Sequence, residues 1–537
     1  MGFLAVCFGI VAPPTVVALS LVGLPPLLAL LLVLGLAAGC AWRWSPRWTS
    51  WAAPLRDANV WFALWIVVGL AASVQEARLA HFMLDANRAD QSVLPWRPFY
   101  REHCCLTAYT EAARLLPSGA NVYDPTPYKD PLSTSPGQAR RMGQFEVDVF
   151  EYPPPFLILP RLALAAGLDF LTIRSGWFVV QALVLLGALV AIAAWIGGRT
   201  GVRAGLLLPL VFAAPPVLLT LQIGNFQVTA IPLAMLAMLA FAQERPLTGG
   251  LALGFATLSK IFPGGLGLLL LAERRWRATL WTLAASAAFL ALALVMLGSG
   301  PFLDFFRYQL PRISSGEAFS WIEIPIVAIG NASVYGLVTK LRLLGLPWTD
   351  KAFAVGISHA YMIALLPLTL LAARRLQQLE RSPLPPEALR LRQAQTWLGL
   401  LSLASFRSPF VPDAYAAIGS LWLLTLLAAE RRTRAQQTGL GVAGLAFCLL
   451  IDDALLPPTP PLWSVMVTLA TQVLLIAFNV WVVLRPSPRA VPAEISTELP
   501  PDGSTPSITA VPARPEDDSQ PLAPIVRAVV AKMARDS

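Results

Sequence analysis

The residues able to do chemistry collect in one polar interval, Gln75 to Pro155. It holds Asp85, Asp90, Glu102, Glu111, Asp124, Asp148 and Glu151, with Arg97, Arg101 and Arg114 among them. It also holds Trp96, Phe99, Tyr100 and Tyr109, and two of the three histidines, His81 and His103. A carboxylate within hydrogen-bond reach of a hydroxyl can take its proton and make it a nucleophile. Four acids qualify by position. Asp85 and Asp90 follow the outer end of an apolar stretch. Glu151 heads the next one, in Glu151-Tyr152-Pro153-Pro154-Pro155, where prolines suit a first helical turn whose N-terminus favours a nearby carboxylate. The same string also reads as a helix start with an incidental acid. Glu102 lies between Arg101 and His103 and is expected in an ion pair, while Glu111 reads as a surface position on a short amphipathic helix.

Elsewhere the candidates are cations and amides. Lys260 stands inside an apolar stretch, in Leu258-Ser259-Lys260-Ile261-Phe262-Pro263. A lysine there costs at least ~2.5 kcal/mol on insertion scales, so a partner is expected, either a lipid phosphate or a helix carboxylate. Pro263 breaks the helix a turn later and frees carbonyls. Gln222-Ile223-Gly224-Asn225-Phe226-Gln227 reads either as polar amides bonding across helices or as a tight turn. Arg407 reads as an anion ligand at the bilayer edge or as a snorkelling side chain. His359 reads as a packed histidine. The five cysteines show no metal spacing, and adjacent Cys104 and Cys105 would make a strained bridge, so both are read as unpaired. There is no Gly-rich phosphate loop and no Gly-x-Ser-x-Gly elbow.

The elements that must position these residues are membrane helices. Of 537 residues, 56% are hydrophobic and only 13% charged, with mean hydropathy +0.62. A soluble globule usually carries about 25% charged residues. The net charge of +9 is assigned to cytoplasmic Lys and Arg rather than to nucleic-acid binding. Residues 1–57 read as an extra hydrophobic hairpin and a basic loop; the apolar run is too long for a signal peptide and has no basic segment before it. Residues 58–352 read as a core module with outer loops 75–155 and 298–350, residues 353–485 as further spans, and 486–537 as a disordered cytoplasmic tail. The expectation is an all-α polytopic protein of about 14 spans. Its dense basic clusters, at Arg43–Arg56, Arg274–Arg277, Arg374–Arg392, Arg431–Arg434 and Arg485–Arg489, then fall on the inner side and both long loops on the outer side.

Taken together and in order, these motifs resemble glycosyltransferase family 87, a polyprenyl-phosphate-mannose-dependent group of the GT-C superfamily. The resemblance rests on the acidic loop ending in Tyr152-Pro153-Pro154, on Gln222–Gln227, and on Ser259-Lys260-Ile261-Phe262-Pro263 followed by Arg274-Arg275-Trp276-Arg277. It rests also on Asn331-Ala332-Ser333-Val334-Tyr335-Gly336, on Ser408-Pro409, and on Tyr109, Ala112–Leu116, Gly119 and Tyr123-Asp124 in the first loop. It covers roughly Asn59 to Leu424.

The resemblance implies a GT-C-type bundle in the cell membrane that moves a sugar, mannose first, from a polyprenyl-phosphate donor to a lipid or glycan acceptor of the envelope. The bilayer is its partner, and neither a metal nor a cofactor is expected. It implies a carboxylate base (Asp85, Glu151 or Asp90, in that order), donor phosphate held by Lys260, Arg407 and Arg101, and a pocket of Tyr152, Asn225, Gln227 and Asn331. One departure stands out: aligned on Tyr109, Cys105 takes the place of the family's usual acid, and a thiol of ordinary pKa near ~8.5 is a poor base in its stead. The rival classes are a transporter or lipid flippase and a non-catalytic envelope protein; the repeat and multiple mid-span charges expected of a transporter are not evident.

Overall fold

The computed structural model describes residues 2–43, 59–133, 138–430, 433–449 and 462–485. The basic loop expected before residue 58 and the tail from 486 lie outside them. The described chain is helical almost throughout. Its one β-pair is a two-residue antiparallel hairpin, Arg141–Met142 against Phe145–Glu146, turning on Gly143 at φ +61°.

Four helices among the described residues are long and apolar enough to cross a membrane: Phe170–Ile196, Trp276–Leu297, Lys351–Glu380 and Leu462–Leu484. A fifth span results if Gly198–Phe212 and Pro215–Ile223 are joined across their 60° bend. The described structure is therefore that of an all-α membrane protein, with fewer full-length spans than the hydropathy pattern suggests. Prolines, which remove a backbone donor, lie at three of the breaks. Pro215 marks the bend. The stretch expected as one span over 248–271 is two helices, Pro246–Ser259 and Gly264–Ala272, interrupted at Lys260–Pro263. The stretch expected over 156–168 is only a 3-10 turn, Pro154–Leu157, and a short helix, Ile158–Ala165.

Burial separates an inner bundle from an outer belt. Asp413–Ala428 is buried along nearly its whole length. Trp276–Leu297 and Lys351–Glu380 instead turn Leu280, Leu283, Val295, Ile363, Leu366 and Leu370 outward. A helix apolar on its exposed face needs an apolar surround, which the bilayer supplies. On the side expected to be cytoplasmic, Arg275 pairs with Glu273 and Glu380 at 3.1 and 3.3 Å, and Arg485 pairs with Glu430. Arg375, Arg392 and Arg485 line one cavity of about 260 Å³ there.

The first helix after the basic loop, Asn59–Leu84, runs past Gln75 and Glu76, so the outer loop begins only at Asp85. Arg174 fixes the helix end. It is fully buried, donates to the Phe82 carbonyl at 2.8 Å, and lies over the Phe82 and Phe145 rings at 4.4 and 4.7 Å. The loop is thus held down at both the helix and the hairpin. Gln222 adds a second anchor: its side chain accepts from Val93 N at 2.6 Å and donates to the Tyr100 carbonyl at 2.5 Å.

Candidate active site

Lys260 falls where the helix Pro246–Ser259 stops, with extended backbone at φ −142°, ψ 119°. Its side chain reaches the first turn of the helix Gln227–Ala242. The ammonium donates to Asn225 Oδ1 at 2.9 Å and to Gln227 Oε1 at 3.1 Å, and faces the rings of Tyr152 and Tyr415 at 5.2 and 5.5 Å. Its direct partners within the chain are amides rather than the helix carboxylate that was the alternative expectation. Two amide oxygens hold the ammonium without neutralising it. The Gln222–Gln227 string is accordingly both things it was read as: a turn, with Gly224 at φ +71°, and a source of amides bonding between helices.

Asn225 organises the rest. Its Oδ1 serves two donors, Lys260 Nζ and Gln227 N at 2.9 Å. Neither can accept in return, which fixes the amide orientation and sends Nδ2 the other way. There it donates to Tyr152 Oη at 3.0 Å and to Cys105 Sγ at 3.4 Å. Tyr109 Oη also donates to Tyr152 Oη at 2.9 Å, so the Tyr152 hydroxyl proton remains free for another acceptor.

Cys105 precedes the helix Leu106–Leu115, its backbone N–H tied to the Ile223 carbonyl at 2.8 Å. Besides Asn225, its sulfur meets His103 Nε2 and Tyr415 Oη, both at 3.6 Å. His103 Nδ1 faces Asp148 Oδ2 at 3.2 Å. Each ring nitrogen therefore has its own partner, giving a chain of thiol, imidazole and carboxylate. Phe99 stacks on the imidazole with ring centroids 4.5 Å apart and fixes its plane. Burial works against the charged imidazolium, but Asp148 and then Cys105 more than reverse this and raise His103 to about 9. At Asp148 burial outweighs the attraction of His103, and the carboxyl is shifted upward. The 3.2 Å contact still marks an ion pair whenever both groups are charged.

Glu151 is the one proposed base that joins this cluster. It is half-buried and makes no hydrogen bond or ion pair among the described residues. Burial first, then the charges of Asp148 and Cys105, push its carboxyl well above the usual range, against the pull of Lys260 and Arg312. Arg312, from the polar interval 298–350, was given no role from sequence; it lies over Tyr308 at 4.5 Å.

The other expected residues sit apart from the cluster. Asp85 is half-exposed in a turn, 3.9 Å from Arg88, and accepts from Asn87 N. Asp90 is in the next turn, where its carbonyl accepts from Arg78 at 2.7 Å. Asn331 is fully buried and holds the second loop closed: its amide donates to the Pro409 carbonyl at 2.9 Å and accepts from Ser333 N and Val411 N. Arg101 and Arg407 are half-buried and make no side-chain hydrogen bond or ion pair among the described residues. Glu102 is in the expected ion pair, with Arg141, but Glu111 is buried and pairs with Arg140 instead of lying at the surface. Cys104 and Cys105 are both free thiols, as expected.

Residues 150–403, from just before Tyr152 through Asn225, Lys260 and Asn331, match the model of glycosyltransferase family 87. Over this segment, just under half of the chain, the protein is similar to glycosyltransferase family 87. No curated protein and no solved structure matches it. That similarity makes the cluster a candidate glycosyl-transfer site. The match begins at residue 150, so Glu151, Tyr152, Asn225, Gln227 and Lys260 lie inside it, while Cys105, His103 and Asp148 lie before it.

Proposed function

We propose that the protein moves a sugar, mannose first among candidates, from a polyprenyl-phosphate donor to a hydroxyl of an envelope lipid or glycan. The reaction would take place on the outer side of the cell membrane, in a GT-C-type bundle. The observation that carries this reading is Lys260: a cation at a helix break, held by amides rather than by a carboxylate, is poised for an anion from outside the chain. A phosphate in the bilayer interface is the anion such a position meets. Gln227 adds support, since its Nε2 is buried without a partner while its Oε1 serves Lys260, leaving a donor for a further oxygen. Arg312 contributes a second positive charge near Glu151.

In this reading the donor's phosphate rests on Lys260 with its sugar toward Tyr152 and Glu151. Attack by the acceptor hydroxyl, whose proton passes to the Glu151 carboxylate, breaks the bond between the anomeric carbon and the phosphate oxygen. The developing phosphate charge is stabilised by the Lys260 ammonium and by the free Tyr152 hydroxyl. The apolar outer belt gives the polyprenyl chain a lateral way in.

The test is purified protein in lipid, incubated with labelled polyprenyl-phosphate sugars and a membrane extract. Transfer from the mannosyl donor is expected. Lys260→Ala should weaken donor binding by about 10–150-fold, the loss of one charge-assisted contact worth about 1.5–3 kcal/mol, with melting unchanged. A variant that binds donor normally and is merely unstable would make the lysine a structural partner and remove the basis of this reading.

A further inference from the structure

Three arginines carried by three helices meet around one cavity, and no acidic side chain lines it among the described residues. Arg375 comes from the helix Lys351–Glu380, Arg392 from Pro386–Ser405, and Arg485 from just past the end of Leu462–Leu484. We propose that this cavity of about 260 Å³ binds an anionic phosphate group, with Arg375 as its principal cation. The inference goes beyond the transfer reaction and does not depend on it.

The three guanidiniums are not alike. Arg485 is anchored, donating to Glu430 at 3.0 Å and also to Gln395 Oε1. Arg392 is buried; it donates to the Arg485 carbonyl at 2.9 Å and reaches Gln395 Oε1 at 3.4 Å. These bonds hold two cations in place before any ligand arrives, which lowers the cost of binding. Arg375 makes no side-chain hydrogen bond or ion pair among the described residues, and its Nη1 is buried without a partner. The Nε of Arg485 is buried and unpartnered as well. A guanidinium has only donors to offer, so what completes these groups is an acceptor. The acids of this end of the bundle are committed elsewhere. Glu430 also accepts from Gln395 Nε2 at 2.9 Å, and Glu380 accepts from Arg275 and Gln393 Nε2 at 3.3 and 3.1 Å.

Depth indicates which anion the cavity meets. Leu370 and Leu371 turn outward, and Arg375 follows Leu371 by about one turn of the same helix. It therefore stands where the apolar belt ends, at the level of lipid phosphates on the side expected to be cytoplasmic. Basic pockets between membrane helices on that side bind anionic head groups. The planar guanidinium fork matches phosphate oxygens. At about 30 Å³ per water, the space takes a head group and not merely a single ion. Gln378 and Thr396 add neutral polar groups to the lining.

The cavity is separate from the Lys260 cluster. Gly265, just past Lys260, packs against Ala404 at one end of the helix Pro386–Ser405. Arg392 lies about three turns back along that helix, ~16 Å away.

The experiment uses full-length protein in discs of neutral phosphatidylcholine and reads the melting temperature. One arm replaces part of the lipid with phosphatidylglycerol. The other adds inorganic phosphate to the neutral discs, against chloride at equal ionic strength. A ligand that binds the folded form raises melting with its concentration. We expect stabilisation in the lipid arm. In Arg375→Ala the half-maximal concentration should rise by about tenfold or more, the loss of one charge-assisted contact. Arg277→Ala removes an exposed arginine outside the cavity and should behave as wild type.

Stabilisation by phosphate alone, lost in Arg375→Ala, keeps the site and makes its ligand a soluble phosphate. No stabilisation in either arm, undiminished stabilisation in Arg375→Ala, or equal losses in Arg375→Ala and Arg277→Ala overturns the proposal. Without either ligand Arg375→Ala should melt no lower than wild type, since the guanidinium it removes has no partner among the described residues. Arg375→Gln, which keeps most of the stem, carries the same comparison where the alanine variant folds poorly.

Discussion

Two lysines of this chain are set among amides in an apolar bundle, and they end in opposite situations. Lys260 touches Asn225 Oδ1 and Gln227 Oε1, stays half-accessible, and has aromatic faces beside it, while Glu151 acts on it electrostatically without a hydrogen bond or ion pair. Lys340, in the helix Val334–Leu343, touches the Asn331 carbonyl at 3.1 Å and Gln472 Oε1 at 2.7 Å. It is 1% exposed and feels the charge of the buried Asp413. The immediate ligands are of one kind, so they do not separate a site from a strut. Access does. Lys340 closes a knot in which Gln472 also donates to the Ser333 carbonyl and Asn331 and Ser333 both bond the Pro409 carbonyl. That knot joins the polar interval 298–350 to the helix Leu462–Leu484. Lys260 closes nothing and leaves a charge for something else.

Removing each lysine should therefore be felt in different measurements. Lys340→Met removes a buried cation whose charge acts on the buried Asp413, and breaking such a buried pair costs about 3–5 kcal/mol. We expect a clear fall in melting temperature and yield, partly restored by adding Asp413→Asn. Lys260→Ala should melt like wild type and lose donor. If the two variants exchange these phenotypes, the distinction between open and sealed lysines fails for this protein.

A pH series sharpens the same contrast. The open region carries the His103–Asp148 pair, and the sign follows from His103. Its folded value of about 9 lies above its ordinary 6.5. The stability it contributes is complete below 6.5 and is lost as pH rises through about 9. The upward shift of Asp148 acts in the acid range and leaves that window untouched. Because Asp148 is more than a third exposed, solvent screening holds the effect to about 1 kcal/mol. Wild type should soften between these limits more than His103→Gln does. Equal slopes would mean that the imidazole is neutral in the folded protein.

What could be read from sequence divides along the same line. Lys260 was visible because a charge in an apolar stretch is anomalous wherever it folds. Its partners lie 35 and 33 positions away and were visible only as a polar string. His103 and Asp148 are 45 positions apart and meet only because the hairpin at Gly143 turns the chain back, and a turn of that size leaves no periodic trace. The all-helical membrane character followed from composition. The number of full-length spans did not, since prolines at 215 and 263 interrupt runs that hydropathy alone joins. Asn331 has the residue type of a pocket amide, and only tertiary contacts reveal that both ends of its amide are already used.

Asp85 gives the smallest expected effect and the sharpest check on using access as a criterion. The sequence put it first among bases because it follows the outer end of a membrane helix. In the fold it occupies an exposed turn, its carboxylate engaged by Asn87 N at 3.0 Å and loosely by Arg88, with no contact to the Lys260 cluster. Surface ion pairs of this kind contribute about 0–1 kcal/mol, so Asp85→Asn should leave melting nearly unchanged. If proton removal happens beside Lys260, transfer should change by less than about twofold, which is under 0.5 kcal/mol on the barrier. Measured beside Cys105→Ser and Glu151→Gln in one assay, it tests whether chemistry follows the half-buried cluster or the exposed loop. Abolished transfer with intact donor binding would place the base in the turn and require the loop to close onto the donor during reaction.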